Sequence, residues 1–549
     1  MPLRIALGQF NSTVGDIEGN VKTMSSIYNE AVKLGADVVV FPEMSVCGYP
    51  PEDLLLKDDF LGDIRTAIER LAKDCPKKTI ITGFAEKSEK GYFNSLAVLS
   101  GGKVKNIYRK SVLPNYGVFD ERRYFRPGTE PLVIDINGMA AALTICEDIW
   151  QLEWMDKFFG QMRRKDLIVN ISASPFHLGK IKQRQEVLGR CAKHFGCAVA
   201  YCNLVGGQDE LVFDGRSMFL DSTGKVVSQG KAFAEDLLIA DISWGIGKKV
   251  LVRAVGGETR GAARKKLNDV AEVYEALVLG TKDYVRKNGF KKVIVGLSGG
   301  VDSSLTAAIA VVALGAENVV GVTMPSRFNS EETITDAEKV ANNLGIEFGT
   351  IPIESVLEKF NKALMDIEGW RDDGLAYENL QARIRGTILM SLSNQFSYLV
   401  LTTGNKSETA VGYSTLYGDT AGGFAVIKDV PKTMVYQLAK YVNKIWRRQI
   451  IPASVMVRPP TAELREGQKD TDSLPAYELL DKILKGYVEE NKSAQELAGE
   501  GLPKNVVSKV IKMVDSNEYK RRQSPPGIKI TPRAFGKDRR MPITNRYVD

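Results

Sequence analysis

Residues 291–324 read KKVIVGLSGGVDSSLTAAIAVVALGAENVVGVTM, and this stretch decides the fold of the half that contains it. The Val- and Ile-rich run at 292–297 is expected as a strand, the Gly-rich turn leads into a helix over 302–314, and a second strand covers 318–324. Outward from there the pattern continues with a helix across 331–344 and strands at 347–353 and 398–403. Strands alternating with helices imply a parallel sheet with helical crossovers, and ligands of such sheets collect at the carboxyl ends of the strands. SGGVDSS, residues 298–304, stands at one of those ends. Its glycines let backbone approach an anion closely, Ser298, Ser303 and Ser304 offer hydroxyl donors, and the following helix N-terminus adds a favourable dipole. The loop therefore reads as a phosphate cradle, distinct from the nucleoside-triphosphatase loop GxxxxGK[ST] and from the dinucleotide loop GxGxxG.

The first half has its own α/β grammar. Apolar runs at 4–10, 37–43, 79–84, 95–99, 141–148, 167–174, 198–206 and 237–242 alternate with helical stretches such as 20–34 and 63–73, which predicts a second layered α/β core. Between 245 and 266 the pattern dissolves into Gly, Lys and Arg, so the expected organisation is a domain at 1–243, a linker at 244–266 and a domain at 267–549 ending in a basic tail. Three polar residues stand at or just beyond the ends of apolar strands in the first half: Glu43, Lys110 and Cys146. A thiol followed by Glu147 and Asp148 has its thiolate disfavoured by nearby negative charge, so a reactive Cys146 needs a cation and a base, which Lys110 and Glu43 can supply. In that scheme Glu43 takes the thiol proton and hands it to a leaving amine, while Lys110 and the backbone N–H of Glu147 stabilise the tetrahedral oxyanion.

Composition narrows the class. At 44% hydrophobic and 26% charged the 549 residues suit a globular protein of two to four cores. The best apolar stretch, 305–316, is about two-thirds of the length that a bilayer crossing needs. The N-terminus runs straight into a strand pattern, and the expectation is a cytoplasmic protein without membrane association. All six cysteines fall in the first 202 residues without the spacing of a disulfide framework, so reduced thiols are expected. Cys191, His194, Cys197 and Cys202 imitate a zinc knuckle, but Cys197 and Cys202 flank or occupy a strand at an odd separation and should diverge. The formal charge of +7 argues little for nucleic acid, because residues 520–549, with nine Lys or Arg against two Asp, account for it. Such a tail is either solvated or closes over a phosphate-rich ligand.

In their surrounding strings, VVVFPEMSVCGYP, NIYRKSVLPNYGVFDE and AALTICEDIW, the residues Glu43, Lys110 and Cys146 resemble the nitrilase-like amidase superfamily and its glutaminase branch over about residues 1–243. The resemblance implies an α-β-β-α sandwich, a covalent thioester and release of ammonia. It also implies that Glu121 orients either the catalytic lysine or the substrate amide, and that Tyr116, Ser174 and Lys180 lie where glutamine binds.

SGGVDSS resembles the loop of ATP pyrophosphatases, which split ATP into AMP and pyrophosphate to adenylate an oxygen. TTGNKSE followed by YGD, with ENLQARIRGTILMSLSNQ upstream and IKDVPKT downstream, is similar to NAD⁺ synthetases, and the whole chain resembles their glutamine-dependent form. That family is a ligase in which NAD⁺ is the product rather than a redox cofactor. Carried over residue by residue, the resemblance gives Ser298, Gly300, Asp302, Ser303 and Thr403 to ATP, and Asp302 with Glu408 to Mg²⁺. Asn379, Arg383, Asp419 and Lys432 would meet deamido-NAD⁺, Lys432 from a mobile loop, and Lys529 and Arg533 would serve phosphate or domain contacts. Homo-oligomers are a further expectation from the family. Ammonia passing between two sites would become mostly non-nucleophilic ammonium in water, so an enclosed path is expected, with the segment from YGD to Lys432, Gly-rich at Gly422 and Gly423, as the candidate for the element that moves. Related amidotransferases fit less well. A GMP-synthetase type pairs Cys with His, and here His177 and His194 lie in other settings; an asparagine synthetase needs Cys at position 2, where Pro stands.

Overall fold

Val38, Val39 and Val40 are fully buried, as expected of a short β-branched strand that is covered on both faces within a layered fold. In the computed structural model, which describes residues 2–160, 165–245, 250–255 and 267–547, the chain divides into two units, Met1–Lys266 and Leu267–Asp549.

The first unit's strands are β1 (Leu3–Gln9), β2 (Val38–Val40), β3 (Thr79–Ser88), β4 (Gly91–Ser100), β5 (Lys103–Arg109), β6 (Leu132–Ile136), β7 (Met139–Ile145) and β8 (Leu167–Ser172). They continue with β9 (Ala198–Asn203), β10 (Val205–Gln208), β11 (Leu211–Asp214), β12 (Met218–Leu220), β13 (Val226–Gln229), β14 (Asp236–Trp244) and β15 (Val250–Ala254). One sheet has the order β15-β14-β1-β2-β3-β4-β5 and the other β13-β12-β9-β8-β7-β6. Leu7, Val40, Ile81 and Val98 of the first sheet share a core with Leu143, Val169, Ala200 and Phe219 of the second, so the sheets pack face to face. Helices Ile17–Lys33 and Asp58–Asp74 cover the outer face of the first sheet, and Lys180–Phe195 covers that of the second. The layering is the α-β-β-α sandwich expected from the sequence.

Part of the expected linker is structure of the first unit. Residues 250–254 form β15, which pairs antiparallel with β14 from Ala240↔Ala254 to Trp244↔Val250. Val250 is buried in the core between the sheets, and this apolar contact is what the Gly/Lys/Arg-rich surroundings hid. Residues 246–249 and 256–266 of that linker lie outside the described residues. Cys197 and Cys202 enter different cores, the outer helix-covered one and the inter-sheet one respectively. All six cysteines are free and buried.

The second unit is built on β16 (Val293–Gly296), β17 (Val319–Thr323), β18 (Glu347–Thr350), β19 (Leu399–Thr402) and β20 (Phe424–Ala425), all parallel in the order β18-β17-β16-β19-β20. The order reverses at β16, so the loop after it opens onto the crevice where such sheets bind ligands. The tail folds inward. Ile528, Ile530 and Phe535 are buried, Gly527 bridges to Ala425, and Arg521 is buried against Glu518 and the carbonyls of Ala410 and Val514. Arg521 and Arg522 pair with Glu518, Lys529 with Asp538 and Arg539 with Asp515, and apolar residues interleaved with the basic ones anchor the segment. Among the described residues no helix is long and apolar enough to cross a membrane.

Candidate active sites

In the first unit, β2 runs on through Phe41 and Pro42 to Glu43, β5 ends at Arg109 just before Lys110, and β7 ends at Ile145 just before Cys146. Lys110 Nζ donates to Glu43 Oε1 at 2.8 Å and to Glu121 Oε1 at 2.7 Å, with the side chains at 0%, 1% and 5% exposure. Asn94 of β4 donates to Glu43 Oε1 at 2.7 Å and Tyr49 Oη to Glu121 Oε1 at 3.1 Å. The second oxygen of Glu43 accepts from the amide of Ala173 at 2.8 Å. Glu43 approaches so closely because position 83 is glycine: a Cβ there would lie 2.4 Å from Met44 N and 2.7 Å from Glu43 Cα.

Burial works against the Lys110 ammonium, but Glu121 and Glu43 outweigh it and hold its pKa well above the ordinary value. Burial pushes Glu121 up to about 7 against the opposing pull of Lys110. The Cys146 thiol is pushed well above its ordinary range by burial and by Glu43, with Lys110 opposing. A buried site with more carboxylate than ammonium thus favours the thiol over the thiolate. Cys146 has φ +44°, a conformation rare outside glycine, and starts a 3₁₀ turn over Cys146–Trp150.

The expected glutamine-binding residues lie around the same thiol. Tyr116 Oη donates to both oxygens of Glu147, at 3.1 and 3.0 Å. Ser174 is buried, donates its amide to Asn203 Oδ1 at 2.9 Å, and accepts at Oγ from Arg184, which is itself paired with Asp214 at 3.0 Å. Lys180 Nζ lies 4.1 Å from the Trp150 ring centroid, and burial, followed by the Arg184 charge, lowers its pKa to about 8. Glu121 is committed to Lys110, Tyr49 and Asn94, so of its two expected roles the contacts favour orienting the lysine.

In the second unit a cavity of about 320 Å³ opens at the carboxyl ends of β16, β17 and β19, lined among others by Ser298, Gly300, Asp302, Ser303, Thr403 and Glu408. Gly299 has φ +78°, and a Cβ there would fall 2.1 Å from the carbonyl oxygen of Thr333, so the loop geometry requires glycine. Ser298 Oγ and Ser303 Oγ are 3.2 Å apart, and the Gly300 amide donates to Ser298 Oγ at 3.3 Å. Lys432 Nζ is bonded to Asp302 Oδ2 and, at 3.0 Å, to Glu408 Oε1. Asn405 joins the two carboxylates: its Nδ2 donates to Asp302 Oδ1 at 2.9 Å, its Oδ1 accepts from the Glu408 amide at 3.0 Å, and its own amide donates to Glu408 Oε2 at 3.4 Å. Burial pushes Glu408 up to about 7, with Lys432 pulling the other way.

Lys432 is the first residue of helix Lys432–Trp446 and is buried, not carried on a loop as expected. Its amide donates to Ser407 Oγ at 2.9 Å, and Asp481 receives both Ser407 Oγ and the Thr433 amide, so a neighbouring helix fixes it. Gly422 and Gly423 are places of close approach, where a Cβ would lie 2.5 Å from Thr402 Cγ2 or 2.3 Å from Leu399 Cδ1. Asp419 lines the cavity, whereas Asn379 and Arg383 are not among its lining residues. Thr415 joins the first two, donating its amide to Asp419 at 2.7 Å and its hydroxyl to Asn379 at 2.7 Å, and exposed Arg383 donates to the Leu416 carbonyl at 3.2 Å. Lys529 faces inward to Asp538 and the carbonyls of Thr531 and Pro532, and Arg533 pairs with Asn491, so both make contacts within the unit.

Asn94, Tyr49, Asp148, Arg184 and Asn405 escaped the reading of the sequence. Asn94 carried a signal, as a buried amide inside an otherwise apolar strand, and Asn405 begins N-K-S-E, the spacing of a capping box.

The chain matches the carbon-nitrogen hydrolase family over residues 4–246 and the NAD synthase family over residues 273–524. It is 48% identical to the glutamine-dependent NAD(+) synthetase of Thermotoga maritima, covering 99% of each chain. Identity to the Aquifex aeolicus protein of the same name is 47%, over 99% of this chain and all of that one. Among solved structures, the glutamine-dependent NAD⁺ synthetase of Acinetobacter baumannii in complex with ADP superposes with a TM-score of 0.79 at 42% identity, over 99% of both chains.

Proposed function

The chain belongs to the glutamine-dependent NAD(+) synthetases, and from that premise we propose how its residues divide the reaction. In the first unit Cys146 attacks the side-chain amide of glutamine. Glu43 takes the thiol proton and delivers it to the departing ammonia, leaving a thioester that water converts to glutamate. Lys110, oriented by Glu121, and the amide of Glu147 stabilise the oxyanion. Tyr116, Ser174 and Lys180 hold the amino-acid end of glutamine, and the half-buried Lys180 ammonium suits its carboxylate.

In the second unit ATP adenylates deamido-NAD⁺, ammonia displaces AMP, and the products are NAD⁺, AMP and pyrophosphate. Ser298, Gly300, Asp302, Ser303 and Thr403 take ATP; Asn379, Arg383, Asp419 and Lys432 serve deamido-NAD⁺. Asp302 and Glu408 fit Mg²⁺: both converge on one ammonium, so their oxygens already face a single cationic point. Among the described residues no group of three or more His, Cys, Asp or Glu could hold a metal, which suits an ion completed by substrate phosphates rather than by a protein cage. When bound, Mg²⁺ neutralises charge on those phosphates. The six buried free thiols accord with a cytoplasmic enzyme; its partners are these small molecules and copies of itself, not nucleic acid or membrane.

The observation that carries this reading is the buried Lys110 shared by Glu43 and Glu121 beside Cys146, in a chain that also holds the SGGVDSS cradle. AMP release that requires deamido-NAD⁺ is the test. ADP as product, or AMP release indifferent to deamido-NAD⁺, would overturn it.

A further inference from the structure

Asp148 is fully buried, and its carboxylate gathers donors from both sides of the first site. Oδ2 accepts from the amide of Ile145 at 3.0 Å and from Tyr108 Oη at 2.7 Å. Oδ1 accepts from the amides of Val112 at 2.8 Å and Ser111 at 3.2 Å. Ile145 immediately precedes Cys146, Ser111 and Val112 immediately follow Lys110, and Tyr108 lies near the end of β5, the strand that delivers Lys110. One side chain therefore ties the exit of β7, in one sheet, to the exit of β5, in the other.

We propose that Asp148 is a positioning residue that fixes the distance and direction between the Cys146 thiol and the Lys110 ammonium. This rests on the reading of Cys146 as the nucleophile. The physical argument has two parts. Cys146 sits at φ +44°, which is strained for a residue other than glycine and persists only where surroundings over-determine it. The bond from the preceding amide to Asp148 is such a constraint. Second, Lys110 is held at its tip by Glu43 and Glu121, but a tip cannot define the strand end that carries it. Bonds to the two following amides do so. The four donors suit an ionised carboxylate, which is acceptor-only, whereas an amide side chain would present its own N–H to them. Burial pushes the Asp148 carboxyl only to about 6, because the Ile145 and Val112 amides and Tyr108 support the charged form.

The test uses full-length Asp148→Asn and Tyr108→Phe, with Cys146→Ala as the reference. Three quantities are measured: glutamine hydrolysis, ammonia-supported NAD⁺ formation, and alkylation of Cys146 by iodoacetamide across a pH series, followed by peptide mass spectrometry. Asp148→Asn should lower kcat for glutamine about 10²-fold with KM changed less than about 3-fold, since reacting groups are displaced while substrate contacts stand elsewhere. Its alkylation profile should move to higher pH as Lys110 is held less close, and ammonia-supported formation should persist. Tyr108→Phe, which removes one donor and keeps the charge, should shift both readouts in the same direction by about 5-fold or less. Parental kcat and alkylation profile in Asp148→Asn, even with lowered thermal stability, would show a merely structural residue and overturn the proposal. Equal loss of ammonia-supported turnover would overturn it as well. If Asp148→Asn does not fold, Tyr108→Phe decides by the same criteria. Retained glutamine hydrolysis in Cys146→Ala would instead sink the reading on which the proposal stands.

Discussion

Each unit places a buried lysine between two carboxylates, and the two arrangements behave differently because of what surrounds them. Lys110 bridges Glu43 and Glu121 with the three side chains at most 5% exposed, and Asn94, Tyr49 and the Ala173 amide occupy other sides of those carboxylates. Lys432 bridges Asp302 and Glu408, whose side chains are 18% exposed, in the wall of an open cavity. In both, burial opposes the ammonium, and the pair of carboxylates overcomes that opposition. The enclosed version is a fixed charge, suited to a transition state whose oxyanion always forms in one place. On the proposed reading, the open version is a site where phosphate would compete for the lysine and a divalent cation for the carboxylates, so similar ion geometry would serve one chemistry by rigidity and another by exchange.

The comparison breaks most readily at the nucleophile. Cys146→Ala should reduce glutamine-supported NAD⁺ formation by at least about 10³-fold while ammonia-supported formation stays near parental. Lys110→Met should do nearly the same, because the fixed charge cannot be replaced by solvent in a buried site. Steady-state NAD⁺ formation with each nitrogen source distinguishes the outcomes. A parallel fall with ammonia in either variant would mean that the two lysine sites are not chemically separable.

Asp302→Asn and Glu408→Gln address the open version and should each lower activity about 10²-fold with either nitrogen source, since each removes a charge facing the cation and phosphates. Basal glutaminase turnover should survive. Pyrophosphate release from ATP and deamido-NAD⁺ without a nitrogen donor isolates the step, and normal release in both variants would remove these carboxylates from it.

What could be read in the sequence follows from which forces act locally. Residues 292–297, 318–324 and 398–403 announce buried parallel strands through short apolar runs rich in Val, Ile and Leu, and the structure has β16, β17 and β19 there. β5, KVKNIYR, was missed: several of its positions are exposed, and its place is fixed by pairing with β4 rather than by its own apolar pattern. The helix expected from residue 20 begins at Ile17, because Asp16 caps it by accepting from the Gly19 amide. Glu43, Lys110, Cys146 and the cradle were legible because reactive groups at strand ends are local features. Asp148 was read only as an unfavourable charge beside the thiol, since the amides of Ser111 and Val112 and the hydroxyl of Tyr108, which it ties to the Ile145 amide, lie more than 30 residues upstream. The tail was misread for the same reason: its summed charge is visible, but the pairing of Lys529 with Asp538 and of Arg521 with Glu518 requires the fold.

The last expected effect is on stability rather than on rate, and it compares the two lysine sites on a single scale. Glu121 and Glu408 are each raised from 4.5 to about 7, burial being the first cause in both. A carboxyl whose pKa is higher folded than unfolded contributes stability that is fully present below the unfolded value and is lost as pH rises through the folded one. Between about pH 5 and about pH 8, Glu121→Gln and Glu408→Gln should therefore become steadily more favourable relative to the parent, each by no more than about 3 kcal/mol. Hydrogen-exchange protection of the peptides around each site, variant against parent at the same pH, reads the two changes separately. Mg²⁺ with ATP should abolish the trend at Glu408, because added positive charge keeps that carboxylate ionised throughout, and should leave the trend at Glu121 untouched. A pH trend at Glu408 that survives Mg²⁺ and ATP would show that this carboxylate never exchanges its lysine for a metal ion, and the two sites would then be rigid alike.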